Sequence, residues 1–133
     1  MPDLAPRADQ EFTVSHLDEA DFKPGGLRDY SVYRDLGIAA ATKGLAHAHV
    51  IRMVKPFSAE MSEPHHHVVA FQIAYVLKGW FSTEFDGHGV HVFRQGSCWI
   101  QPPGIRHTVR GWSEDCELLE IIMPAEHETA SDA

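Results

Sequence analysis

An all-β single domain, a barrel or sandwich of short strands, is the fold class this sequence predicts, and three observations predict it. Apolar stretches are short and are broken repeatedly by Gly and Pro. No stretch sustains a long 3.6-residue period, so extended helices are not expected. Asp86-Gly87 between Phe85 and Val90 is a hairpin signal of the favoured kind.

Strands are expected at 11–16, 31–36, 45–54, 65–69, 72–77, 81–85, 90–93, 98–101, 107–110 and 118–123. The turns that bound them are Pro24-Gly25-Gly26, Lys43-Gly44, Lys78-Gly79, Asp86-Gly87-His88-Gly89, Gln95-Gly96 and Pro102-Pro103-Gly104. A short helical turn fits 18–22, and the alanines of 35–42 leave that stretch ambiguous. The segments 1–10 and 125–133 are polar, small or Pro-containing and are expected to be flexible. One domain, 11–124, lies between them.

The chain has 133 residues, enough to bury roughly two-thirds of the surface its unfolded form exposes. The net charge of −8 repels phosphate backbones and anionic lipid, so neither nucleic acid nor membrane is an expected partner. Cys98 and Cys116 are far apart, which suits a reducing compartment better than a disulfide framework. With no apolar leader region and no membrane-length apolar run, a cytoplasmic location is expected.

Chemistry is concentrated in Glu63-Pro64-His65-His66-His67. On a strand, residues two apart share a face, so His65 and His67 point together and His66 points away. Roughly 6.6 Å of backbone separates the pair. Two imidazoles can close on one ion over that distance. A third histidine, His107, follows the Pro102-Pro103-Gly104 turn. Gln72 is an odd five residues beyond His67. It reaches the same site only if the chain turns or bulges within 68–71.

These two segments resemble the motifs of the cupin superfamily. The first, G-x5-H-x-H-x(3,4)-E-x6-G, is matched by Ala59, His65, His67, Gln72 and Gly79. The second, G-x5-P-x-G-x2-H-x3-N, is matched by Gly96, Pro102, Gly104, His107 and Gly111. The resemblance spans 45–123. It implies a double-stranded β-helix, a small jelly-roll-like barrel, with one divalent metal held by His65, His67, Gln72 and His107. Ala59, Gly111 and Gln72 depart from the pattern. The last departure matters for charge. Three neutral imidazoles and an amide leave the ion its full +2, which favours anionic or chelating ligands. In a second arrangement Gln72 only hydrogen-bonds to the site, which is then a plain three-histidine one. Iron, manganese, nickel, zinc and copper all suit such donors.

His47 and His49 share the parity of Ile51 and Met53. They could hold a ligand near the metal, or simply pack. Glu120 in 118–123 is a candidate general base. Arg34 and Arg52 read as surface residues. The site suits a dioxygenase-like metalloenzyme acting on a small anionic or enolisable molecule, since a three-histidine site is not spoiled by losing the carboxylate. An isomerase or lyase of a sugar-acid-like substrate is the alternative. The pectin-degradation cupins resemble the chain in having three His plus Gln, yet their acidic residue, aromatic and arginine fall here on Glu120, Ile122 and Glu126. A non-catalytic small-ligand binder is the third reading. The resemblance also implies a homodimer paired through 11–16 and 31–36.

Overall fold

The computed structural model describes residues 5–25 and 28–132. Its strands are β1 (Lys23–Pro24), β2 (Ser31–Asp35), β3 (His47–Met53), β4 (His65–Val68), β5 (Phe71–Lys78) and β6 (Trp80–Phe85). They continue as β7 (Gly89–Arg94), β8 (Cys98–Ile100), β9 (His107–Trp112), β10 (Glu117–Met123) and β11 (Glu128–Ser131). One four-residue helix, Ile38–Ala41, occupies the stretch the alanines left ambiguous. A 3-10 turn at Glu19–Asp21 matches the short helical turn expected there, with Asp18 accepting from the Ala20 amide at its start.

Two antiparallel sheets form the jelly-roll barrel. One runs β1-β2-β3-β10-β5-β8 and the other β11-β4-β9-β6-β7. The chain passes between sheets in very few residues. After β4 it leaves one sheet, and at Phe71 it enters the other as β5. Gln72 needed a turn between 68 and 71 to join the histidines, and this crossing supplies it. A second crossing, from β5 to β6, is made at Gly79 with φ +69°. The expected hairpin at Asp86-Gly87 joins β6 to β7.

Alternation along two neighbouring strands divides the barrel interior. On β5, Val76, Ala74 and Gln72 are buried. On β10, Leu118, Glu120 and Ile122 share one face. The apolar members Val76 and Leu118 join Met53, Phe81, Trp112 and Cys116 in the core cluster. Gln72 and Glu120 lie further along the same strands, away from that cluster. Rings and hydrocarbon thus dominate one end of the barrel, where Met53, Phe81, Trp112 and Leu118 also face the hollow, and polar groups gather towards the other.

Two expectations differ from the structure. Residues 11–16 form no strand: the Glu11 amide donates to Ala41 O at 2.8 Å, and Arg34 holds Ser15 Oγ at 2.9 Å. Phe12, Val14 and Leu17 on this arm are exposed. The arm finds no ladder because β2 is already paired on both edges, by β1 and β3. The stretch 125–133, expected to be flexible, instead contains β11, which pairs with β4 from Glu128↔Val68 to Ser131↔His65. Its small polar residues carry little β-propensity, and the open edge of β4 decides its conformation. The expected turn at Pro24-Gly25-Gly26 lies partly outside the described residues. No helix among the described residues is long and apolar enough to cross a membrane.

At Gly79 a Cβ would fall on Ser113 Oγ and Asp115 Oδ1, in a backbone region that disfavours L-residues. Gly79→Ala is expected to cost at least about 1–3 kcal/mol, read as a lower urea midpoint at unchanged slope.

Candidate metal centre

The register of the β4–β9 pair creates the centre. His65 lies directly opposite His107 in the ladder, and His67 is two residues along on the same face. The ring centroids are 4.1 Å apart for His65–His107 and 5.1 Å for each of the other two pairs. One ligating atom from each residue lies within 4.8 Å of the others. Two bonds of about 2.0–2.1 Å at a tetrahedral angle span roughly 3.4 Å, so the rings would draw closer together around an ion.

The far side of each ring is held. His65 Nδ1 donates to Glu63 O at 2.9 Å, and His107 Nδ1 donates to Ile105 O at 3.0 Å. His67 Nδ1 is hydrogen-bonded to Thr129 Oγ1 at 2.7 Å. The carbonyl partners put the proton of His65 and His107 on Nδ1, so their Nε2 atoms present lone pairs inward, as metal-binding histidines require. His66 points the other way, to Asp132 Oδ2 at 2.8 Å. The Pro102-Pro103-Gly104 turn is tied to the site by its backbone: the Gly104 amide donates to His67 O and the Gln101 amide to Gln72 O.

A directed chain of hydrogen bonds borders the three histidines, and its direction follows from one carboxylate. Ionised Glu120 can only accept. His49 Nε2 therefore donates to Glu120 Oε1 at 2.8 Å, and His49 Nδ1 accepts from His47 Nε2 at 3.0 Å. On the other oxygen, Gln72 Nε2 donates to Glu120 Oε2 at 2.9 Å. This turns Gln72 Oε1 the opposite way, where it accepts from Gln101 Nε2 at 3.0 Å. Gln101 Nε2 also reaches His107 Nε2 at 3.4 Å. Buried amide and carboxylate groups are thereby satisfied without water.

The electrostatics agree with a centre kept ready for a cation. Burial, with the neighbouring histidines adding to it, pulls His67 down to about 3. Burial is also the main cause of the drop to about 4 at His107 and of the lowered value at His65. All three rings are neutral donors at neutral pH. Burial pushes the Glu120 carboxyl up, but the His49 and Gln72 hydrogen bonds and the nearby charges outweigh it, and the group lies below its usual range.

These groups face one cavity of about 840 Å³, which His47, His49, Gln72, Glu120 and the three histidines all line. Every candidate site residue expected from the sequence is thus drawn to a single hollow. Three further residues were not anticipated. Gln101 directly follows β8 and lines the cavity with Trp99, two residues earlier, a parity visible in the sequence. Thr129 and His127 come from the stretch expected to be flexible. The His127 ring lies 5.8 Å from that of His67, and its Nδ1 is buried with no hydrogen-bond partner. Arg34 and Arg52 do not line the cavity; Arg52 pairs with Glu19 and Glu117.

Comparison with known proteins agrees with this fold. A family model described as "Cupin domain" matches residues 53–122. No curated protein matches the sequence. Among solved structures, KdgF from Halomonas sp. is similar at 18% identity and TM-score 0.67, over 86% of this chain and 96% of that one. The polyketide cyclase RemF from Streptomyces resistomycificus has 18% identity and TM-score 0.69, over 91% and 87%. Salicylate 1,2-dioxygenase from Pseudoaminobacter salicylatoxidans, in complex with gentisate, has 8% identity and TM-score 0.63. It is matched over 83% of this chain but only 31% of its own. At these identities the likeness is one of fold.

Thr129→Val keeps the shape of the side chain and removes the hydrogen-bond partner of His67 Nδ1. The expected result is about 10-fold weaker metal affinity with little change in thermal midpoint, measured by competition with a chelating dye. In the metal-free protein, His67 and His107 resist protonation while the unfolded chain takes up protons near 6.5. The unfolded state then binds more protons as pH falls, and stability is lost progressively from about pH 6.5 towards 3. Unfolding midpoints of the metal-free protein should fall between pH 7 and 5. The double variant H67Q/H107Q should flatten that slope.

Proposed function

The chain belongs to the cupin domain family, and on that premise we propose that it is a metalloenzyme that rearranges a small enolisable carbonyl compound by proton transfer. One divalent ion, of iron, manganese, nickel, zinc or copper, suits the imidazole donors. His65, His67 and His107 hold it through Nε2. Gln72 adds its amide oxygen, using the lone pair that the Gln101 bond leaves. When bound, the metal polarises a carbonyl oxygen and so acidifies the neighbouring C–H.

The observation that carries the reading is Glu120, an ionised carboxylate enclosed in the cavity of the three histidines and hydrogen-bonded to His49. It takes the proton next to the substrate carbonyl. Two donors keep it a weak base, which suffices for an acidified C–H. His49 and His47 stabilise the carboxylate in its ionised form and orient it within the hollow. Returning the proton at a different atom completes an isomerisation, and losing a leaving group instead completes an elimination. Similar folds include a polyketide cyclase and a dioxygenase, so the fold serves both kinds of chemistry and decides between neither.

A second, dioxygenase-like reading is favoured by the donor set, which holds no carboxylate. Oxygen dependence separates the two. Metal-loaded protein is incubated with small 1,3-diketones and 2-oxo acids, in air and under argon. Turnover is expected to persist under argon, and Glu120→Gln is expected to lower kcat about 10²–10⁴-fold at unchanged metal content. Dioxygen consumed in step with substrate would support the oxidative reading instead. Tight binding without turnover in either atmosphere would make the protein a small-ligand binder.

A further inference from the structure

The cavity has one strongly basic residue on its wall, and it comes from an unexpected place. Among the described residues lining it, Arg28 is the sole Lys or Arg. It precedes β2, far in sequence from every candidate ligand. A second hollow of about 510 Å³ adjoins the first, and Arg28, Tyr30, Glu63 and His65 line both. Arg28 therefore stands where the two hollows meet, beside a metal-ligand histidine.

Among the described residues no ion pair holds Arg28, although the carboxylates Glu60 and Glu63 share the second hollow with it. Lys55, on the wall of the second hollow, is paired with Asp29. Glu63 is hydrogen-bonded by Ser131. Arg28 is exposed, and its polar neighbour is the Tyr30 hydroxyl, which is uncharged at neutral pH. The chain as a whole carries −8. An anionic substrate meets net repulsion at long range and needs a local cation to be held. A guanidinium offers a planar fork that matches an oxyanion with two parallel hydrogen bonds.

We propose that Arg28 receives an oxyanion group of the substrate, a carboxylate or a phosphate, while the metal site holds the carbonyl of the same molecule. This rests on the metal-carbonyl reading above and narrows its substrate class to anionic carbonyl compounds. Specificity then comes from one end of the cavity and chemistry from the other.

The test uses a matched pair of ligands. Succinylacetone carries a diketone and a carboxylate arm, and its methyl ester keeps the diketone and loses the charge. Both are titrated calorimetrically into zinc-loaded protein. The acid is expected to bind the wild type about tenfold more tightly than the ester. Arg28→Gln should erase that preference while ester affinity and zinc content stay unchanged. Arg28→Lys should restore part of it, and added salt should shrink it in the wild type. A preference that survives Arg28→Gln overturns the assignment and leaves the metal reading intact. If zinc binds and neither diketone does, the metal-carbonyl reading fails and the assignment falls with it. Competition separates the two oxyanions: stronger displacement of the acid by inorganic phosphate than by acetate assigns a phosphate, and the reverse assigns a carboxylate.

Discussion

The site depends on how three Nδ1 atoms are held. An imidazole has two nitrogens, and a metal needs the lone pair of one of them in each of three rings at once. Two of the Nδ1 protons are given to backbone carbonyls two residues earlier in the chain, Glu63 O and Ile105 O. Those contacts are local, so the strand that carries each ring also sets its tautomer. The third ring is held by a side chain on a different strand, Thr129. Its orientation therefore depends on the pairing of β11 with β4. Burial makes the arrangement demanding, because a protonated ring in this hollow would be an unpaired charge.

Charge balance gives the second constraint. The position that is acidic in the motif is Gln72 here, yet a carboxylate has not left the neighbourhood. Glu120, on the adjacent strand, bonds to the Gln72 amide and to His49. The negative charge is kept one residue away from the donor set rather than inside it. A bound ion would keep its positive charge undiminished by the donors, and the carboxylate would remain outside its coordination. A single ionised group also sets the sense of every hydrogen bond from His47 to Gln101, which makes the polar wall unique rather than interchangeable.

Much of this was legible from the residues. Alternation placed His65 and His67 together and His66 opposite. The odd spacing of Gln72 demanded a break in the strand, which appears as the crossing from β4 to β5. Parity grouped His47 with His49. What escaped notice has one physical origin: contacts made by segments whose own sequence is uninformative. Thr129 and His127 sit among small polar residues that form a strand only because β4 offers an open edge. The segment 11–16 has the alternation of a strand and no edge to join. The position after β10 where the resemblance puts an arginine is Glu126 here, whereas Arg28 reaches the cavity from the segment before β2. Tertiary neighbours decided these cases, and propensity could not.

The barrel's interior is graded along its length: Val76 lies in the packed cluster, Leu118 belongs to that cluster and also faces the hollow, and Gln72 and Glu120, on the same two strands, lie at the open end. Packing and polar chemistry thus grade into one another along a shared backbone. Changes of residue at the open end alter what the molecule recognises while the packed end keeps it folded. Such a gradient lets descent explore new substrates without first passing through unstable intermediates.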